Sequence, residues 1–592
     1  MSVVAAIKTA TVEAIQQLYN VQLKDEDILV NETKPEFEGD YTVVLFAFVK
    51  QLKKSPDALG QELGEQLLQQ HNDFFTGFNV IKGFLNLTVS DAYWINFLHQ
   101  SGSSAFGTKE SNGKKVMVEY SSPNTNKPLH LGHLRNNFLG WSTAEILKAT
   151  GNEIIKTCIV NDRGIHICKS MIAWQLFANG ANPQTANTKG DHFVGDYYVK
   201  FNDQYKQEVE ALVQSGMNKD EAEKQAPIMK AAQQMLIDWE AGKPEVIELW
   251  KQMNSWVYAG FDQTYQTIGS NFDKVYYESN TYLSGKGLVE KGLAKGVFYK
   301  KDDGSVWIDL TNDGLDEKVV QRRDGTAVYI TQDIGLAEQR YEEFKAERNI
   351  YVIGDEQNYH MKVLKLICQK LGLPSADGIY HLSYGMVELP TGKMKSREGT
   401  VVDADDIVDE MMNIARQKTE ELGKVKDFTE AELKDLYNII GLGALKFFLL
   451  RVDPKKKMIF NPEESIDFHG FTGPFIQYTH ARIKSIVRKV GDVNSESSMA
   501  IRELLPLEKQ VIVALEKFPL VIAEAGEELN PSRIAIYVFN LAQIFNSFYS
   551  EHSIANAESE EKKQLRLQLA QLTAQVIKTG MGLLGIRVPE RM

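Results

Sequence analysis

Cysteine is scarce: Cys158, Cys168 and Cys368 are the only three in 592 residues, and no two of them form a C-x-x-C pair. That excludes a disulfide framework and a thiolate zinc site, and it fits a reducing compartment. Long apolar runs are missing too. No stretch approaches the roughly 20 apolar residues needed to span a bilayer. The first thirty residues alternate apolar side chains with Lys, Glu, Asp and Gln and lack the apolar core of a signal peptide. The cytoplasm is the expected location. Internal repeats and low-complexity segments are absent. Positive charge is in deficit, 66 Lys and Arg against 79 Asp and Glu, for a net charge of −13. An acidic total does not exclude a polyanionic partner, because nucleic acid responds to local charge. Basic clusters occur at Lys455, Lys456 and Lys457, and at Arg482, Lys484, Arg488 and Lys489. Each, taken alone, reads as a solvated helix face or loop.

Hydrophobic residues at 43% and charged residues at 24% match an ordinary globular protein. At roughly 100 to 200 residues per domain, the length implies three to five units. Up to about residue 100, helical periodicity at Ala10 to Leu23 and Pro56 to Gln70 mixes with a strand-like run at Gly83 to Val89, the pattern of a small α+β domain. A Gly, Ser, Asn and Lys-rich linker from Ser101 to Lys115 sets a boundary near residue 110. A strand at Lys115 to Ser121, a helix at Leu129 to Thr150 stopped by Gly151, and a strand at Glu153 to Val160 follow. This β-loop-α-β unit predicts an α/β, Rossmann-like doubly wound parallel sheet. Strand-like runs recur at Val328 to Ile330 and Ile350 to Ile353. The charged stretch between, partly helical at Tyr205 to Gln214 and Asp220 to Met253, reads as an insertion. From Asp427 onward the pattern is almost wholly amphipathic helix. The expected domains are 1–110, 111–455 with an inserted segment at about 190–318, and an all-α 456–592.

The chemistry concentrates in two segments. Ser121-Ser-Pro-Asn-Thr-Asn-Lys-Pro-Leu-His-Leu-Gly-His-Leu-Arg135 joins the first strand to its helix, where free N–H groups and the positive dipole end face an incoming anion. Gly132 lets a nucleotide approach the backbone, and His130 and His133 can donate to phosphate oxygens as charge redistributes. Far along the chain, Gly392-Lys-Met-Lys-Ser-Arg-Glu-Gly-Thr400 is a Lys, Arg and Gly-rich loop suited to a triphosphate. Two histidines at a helix start can equally be satisfied by backbone or solvent, and such a loop by itself is an ordinary solvated turn. Their occurrence in this order is far more specific.

The pair resembles the HIGH and KMSKS signatures of class I aminoacyl-tRNA synthetases, written here as HLGH at His130 to His133 and KMKSR at Lys393 to Arg397. The runs VEYSSPNTNKPLHLGHLR from Val118, YITQD from Tyr329, QNYH from Gln357, GTVV from Gly399, QYTHARI from Gln477 and the final PERM are similar to those of the arginyl enzymes of that class. The resemblance implies ATP-dependent joining of L-arginine to the 3′ end of tRNA(Arg), with ATP bound by His130, Gly132, His133, Met394, Lys395 and Ser396. Ser396 replaces the second lysine of KMSKS, and the family's compensating lysine corresponds to Lys127; Lys393 and Lys395 remain alternatives.

A guanidinium offers five donors and stays charged, so selecting it takes carboxylates and neutral acceptors held in plane. Glu119 ends the first strand, and a helix through Tyr329-Ile-Thr-Gln-Asp333 would put Tyr329 and Asp333 on one face. By resemblance, Glu119, Asn124, Tyr329, Asp333 and Gln357 fall on the family's arginine-binding positions. Tyr478, His480 and Arg482 combine an aromatic surface with cations for unpaired bases, and Tyr549 and Met592 are further candidate contacts in what resembles an anticodon-binding domain. The N-terminal domain resembles the family's extra tRNA-contacting domain. The resemblance also implies arginine activation only with tRNA bound, a monomer, and magnesium that travels with ATP. No structural metal is expected.

Overall fold

The computed structural model describes residues 2–34, 36–102, 105–282, 284–390, 402–421, 423, 427–491 and 501–592. Near the N-terminus, a helix over Val3–Tyr19 starts where the Ser2 side chain accepts from the Ala5 N–H and ends at Asn20 in the left-handed region, φ 53°. It thus begins earlier and stops sooner than the periodicity suggested. The Pro56–Gln70 helix, capped by Ser55, matches its expected span. The strands β1 (Val30–Glu32), β2 (Tyr41–Val44), β3 (Phe75–Ile81) and β4 (Phe84–Val89) form an antiparallel sheet in the order β1-β2-β4-β3. This module docks on the C-terminal helices through ion pairs: Lys509 reaches Asp40 at 3.0 Å and Asp91 at 3.7 Å, and Lys517 reaches Glu32 at 2.6 Å.

The central sheet has five parallel strands, β5 (Lys115–Glu119), β6 (Glu153–Val160), β7 (Lys274–Tyr277), β11 (Arg348–Gly354) and β12 (Ile379–Tyr384), in the order β12-β11-β5-β6-β7. The chain runs from β5 outward to β6 and β7, then crosses to β11 and β12 on the other side. The topological switch therefore lies between β5 and β11, where parallel sheets open a ligand crevice at their carboxyl ends. A small antiparallel sheet of β8 (Tyr299–Lys300), β9 (Val306–Ile308) and β10 (Lys318–Gln321) sits apart from it.

Ile350 to Ile353 lies in β11 as expected, but Val328 to Ile330 is no strand: Val328 caps a helix over Tyr329–Phe344. Three apolar residues fit either period, and local pattern could not decide between them. The stretch read as an insertion supplies β7, an edge strand of the main sheet, besides its helices Gly190–Gln214, Lys219–Gln225, Pro227–Glu240 and Pro244–Ile268. The expected single span from Asp220 to Met253 is broken twice, with Pro227 and Pro244 opening new helices, the position where a missing N–H costs nothing. The chain then ends in the helices Glu430–Leu450, Gly473–Val490, Pro506–Glu516, Phe518–Glu528, Ser532–Glu551 and Glu560–Leu583. The helix after β5, Leu131–Ala149, is buried on nearly every side, held between the sheet and these C-terminal helices; Ser142 Oγ donates to the Leu583 carbonyl at 2.8 Å. Among the described residues, no helix is long and apolar enough to cross a membrane.

Candidate functional site

The chain leaves β5 through two serines in the left-handed region, Ser121 at φ 80° and Ser122 at φ 47°. Such backbone is strained for residues with a side chain and persists only where neighbours hold it. Here Asn136 Oδ1 accepts from the Ser121 N–H at 2.5 Å, and the Ser121 hydroxyl lies 2.6 Å from that of Tyr265. The loop so anchored delivers His130 as the N-cap of the Leu131–Ala149 helix. Its Nδ1 accepts from the Gly132 N–H at 3.1 Å, while the His130 N–H donates to Nδ1 of His133 at 3.2 Å, and the rings lie 3.9 Å apart. Burial and the Lys127 charge take His130 down to about 3; burial, then His130 and Lys127, hold His133 well below its ordinary value. Both rings are therefore neutral near pH 7. Because each Nδ1 accepts, each proton must sit on Nε2, leaving two Nε2–H donors not used by the cap. A Cβ on Gly132 would stand 3.0 Å from the His130 ring, a second reason for glycine besides access to the backbone.

Lys127 is half-buried, and burial lowers its pKa. It lines a cavity of about 250 Å³ with Pro128, Leu129, His130, His192, Gly195, Asp196 and Asp403. Lys393, Met394, Lys395 and Ser396 lie outside the described residues. The chain is described again from Val402, and there it is stitched to the histidine element: the Leu131 N–H donates to the Val402 carbonyl at 3.3 Å and the Ala404 N–H to the Leu129 carbonyl at 3.0 Å.

The expected arginine-binding residues gather around the crevice. Glu119 is the last residue of β5, and Asn124 forms a bridge with Asn161 just beyond β6. Tyr329, 72% exposed, and Asp333 stand one turn apart on the Tyr329–Phe344 helix, and Gln357 follows β11 in an exposed turn. Two of the acids are already engaged. Glu119 is buried and accepts from the buried guanidinium of Arg340, which also lies 4.9 Å from the Tyr276 ring and 5.6 Å from that of Tyr351. Burial raises the Glu119 pKa and Arg340 opposes the rise. Asp333 lies 2.6 Å from His360 Nε2, a contact that raises the pKa of His360. Arg340, His360 and Glu278 were not singled out from sequence. Glu278 follows β7 at the same sheet edge, where burial, partly offset by Arg163, pushes its carboxyl up to about 7. His360 ends the QNYH run, whose likeness to the arginyl enzymes was the only signal pointing to it; for the other two, sequence carried no signal.

In the helical domain the structure brings Tyr478, Arg482, Tyr549 and Met592 into one open cavity of about 540 Å³, together with Arg488, Lys489 and Arg591. The Arg482 guanidinium lies 4.8 Å from the Tyr478 ring and donates to Asn546 at 2.9 Å. His480 does not join them. It is 1% exposed, with Nδ1 2.9 Å from the Pro589 carbonyl, and burial lowers its pKa, so it is a neutral clamp on the C-terminal segment and not a surface cation.

Among the described residues, Asp191, His192 and Asp405 bring three ligand-type atoms within 4.8 Å of one another. The Lys189 ammonium lies among them, 3.1 Å from Asp191 and 2.6 Å from Asp405, and meets their charge.

Comparison with known proteins agrees along the whole chain. Residues 5–89 match the family described as the arginyl tRNA synthetase N terminal domain, 96–461 the class I (R) tRNA synthetase catalytic domain, and 476–592 the DALR anticodon binding domain. The arginine–tRNA ligase of Bacteroides fragilis is 51% identical over 602 residues and that of Flavobacterium psychrophilum 52% over 607, each comparison covering 100% of both chains. The Thermus thermophilus arginyl-tRNA synthetase structure matches with a TM-score of 0.79 at 25% identity over 100% of both chains. The Plasmodium falciparum arginyl-tRNA synthetase, at 17% identity, shares the fold with a TM-score of 0.78 over 100% of this chain and 99% of its own. With its paired histidine cap at the switch point of a parallel sheet and relatives of this identity over their full length, the chain belongs to the arginyl-tRNA synthetase family of class I enzymes.

Proposed function

We infer that the chain attaches L-arginine to the 3′ end of tRNA(Arg) through an arginyl-adenylate, with MgATP as co-substrate. The observation that carries this reading is the reciprocal cap of His130 and His133, which leaves two neutral donors at the switch-point crevice of a chain in this family. In the first step a carboxylate oxygen of arginine attacks the α-phosphorus, and the bond to the β-phosphate breaks to release pyrophosphate. The two Nε2–H groups, His130 and His133, donate to phosphate oxygens as charge builds, with Lys127, Lys393 and Lys395 supplying positive charge and Gly132, Met394 and Ser396 shaping the nucleotide site. Neutral imidazoles suit this role, since each donates its Nε2–H without giving that proton up near neutral pH. In the second step the terminal 2′-hydroxyl attacks the acyl carbon, AMP leaves and the hydroxyl proton is released.

Asp333 faces the substrate guanidinium with Tyr329, while Asn124 and Gln357 hold the amino-acid end. Glu119 shapes the pocket floor through its pairing with Arg340. Tyr478, Arg482, Tyr549 and Met592 receive anticodon bases by stacking and charge. The domains divide at about residues 110 and 455, and the enzyme acts as a cytoplasmic monomer that activates arginine only with tRNA bound. The test is charging of total tRNA with arginine, lysine and glutamine, alongside ATP/PPi exchange with and without tRNA. Arginine-only charging with tRNA-dependent exchange is expected; charging with another amino acid overturns the pocket, and exchange without tRNA overturns the coupling.

A further inference from the structure

Behind the His130 loop lies a cluster of charge drawn from three separate parts of the chain. Lys189, at the start of the Gly190–Gln214 helix, donates to Asp405 at 2.6 Å, to Thr264 at 2.6 Å and to Asp191 at 3.1 Å. His192 Nε2 lies 3.0 Å from Asp405 and 3.4 Å from Asp403. Thr264 Oγ1 donates to the second Asp405 oxygen at 2.9 Å, and the Asp405 N–H donates to Asp403 at 2.7 Å. The contributing elements are packed closely. A Cβ on Gly260 would lie 2.2 Å from Asp191 Oδ1, and one on Gly195 would lie 2.8 Å from Pro128 next to Lys127.

Asp403 is the point on which the cluster acts. It forms an antiparallel bridge with His130, flanked by the two backbone hydrogen bonds of Val402 and Ala404. Two such bonds hold a short pairing weakly, whereas charge-assisted hydrogen bonds are about twice as strong as neutral ones. Of the charged groups in the cluster only Asp191 is fully buried, with Lys189, His192, Asp403 and Asp405 partly so, and an apolar contact would serve stability as well as such ion pairs do; what they add is a fixed geometry. That geometry forms one wall of the cavity whose other wall is Lys127 and His130.

We propose that Lys189 and His192 are positioning residues for the nucleotide site: by clamping Asp403 and Asp405 they fix the peptide paired with Leu129 to Leu131, and with it the His130 ring. The inference deepens the functional reading above, but its test does not depend on which amino acid is charged. MgATP and arginine binding to the full chain would be measured by calorimetry for the wild type, H192L, H192Q and T264V. Glutamine keeps an N–H donor for Asp405 and leucine does not, while T264V removes a single bridging hydroxyl and serves should H192L not fold. The expected result is at least tenfold weaker MgATP binding in H192L, with arginine binding within twofold of wild type. H192Q is expected within threefold of wild type and T264V about threefold weaker. MgATP binding unchanged in both H192L and T264V, or equal losses for MgATP and arginine, would overturn the clamp. Wild type that binds MgATP but charges no arginine would overturn the functional reading and leave the clamp to be decided by the MgATP losses of H192L and T264V alone. Wild type that binds no MgATP overturns both.

Discussion

The crevice at the carboxyl edge of the sheet and the cavity of the helical domain handle charge differently. At the crevice, the imidazoles of His130 and His133 are neutral, and the guanidinium of Arg340 is walled in by Glu119, Tyr276 and Tyr351. In the helical domain Arg482, Arg488, Lys489 and Arg591 surround an open cavity with Tyr478 and Tyr549. A site that stabilises charge arising during a reaction gains from fixed, preorganised dipoles, whereas a site that captures a polyanion from solution gains from exposed cations.

Substitutions should separate the two regions. The largest effect is expected at Arg340. R340M leaves Glu119 buried without its partner, and breaking a buried pair costs about 3–5 kcal/mol, which denaturant unfolding would measure. Next come H130A and H133A, each removing one preorganised donor. Arginylation kcat should fall ~10²–10³-fold, with tRNA affinity within twofold of wild type. In the helical cavity, Y478A and R482A should do the reverse: tRNA binding about tenfold weaker or more, given stacking energies of roughly 1–3 kcal/mol per base, with MgATP binding unchanged. A drop in MgATP affinity there would show that the regions are not separate.

The smallest effect concerns pH. A hydrogen bond to Asp405 raises His192 above its ordinary 6.5, against burial. Its contribution to stability is thus fully present below 6.5 and lost as pH rises through the raised value. His130 runs the other way: held down to about 3, it excludes a proton that the unfolded chain accepts, so stability falls as pH drops below 6.5. Asp405, which burial pushes up but which hydrogen bonds from His192 and Lys189 bring down to about 2, contributes above its ordinary 3.8 and loses that contribution only as pH falls toward 2. Unfolding measured from pH 6 to 9 should show a steeper loss in wild type than in H192Q; identical slopes would remove His192 from the balance.

The nucleotide loop was legible in the sequence because its chemistry is contiguous: one run from Ser121 to Arg135 contains the strand exit, the cap and the helix start. The parallel sheet followed from the same unit. The pairing of Glu119 with Arg340 was not legible, since 221 residues separate them and only the completed sheet and its flanking helix bring them together. His480 looked like a surface cation because nothing local reveals that the C-terminal segment, 109 residues on, folds over it. Tyr478 and Arg482 in the same run do line the cavity, on the other side of their helix from that clamp. The clamp on Asp403 was equally out of reach, drawing on residues 189, 192, 264 and 405.

The two neutral imidazoles are central to the proposed chemistry. Nitrogen-15 NMR of histidine-labelled protein, followed from pH 5 to 8, reports tautomer and protonation of each ring, with H130N and H133N assigning the signals. The account predicts that His130 and His133 stay neutral with the proton on Nε2 throughout that range. Titration of either ring near pH 6.5, or a proton on Nδ1, would contradict it.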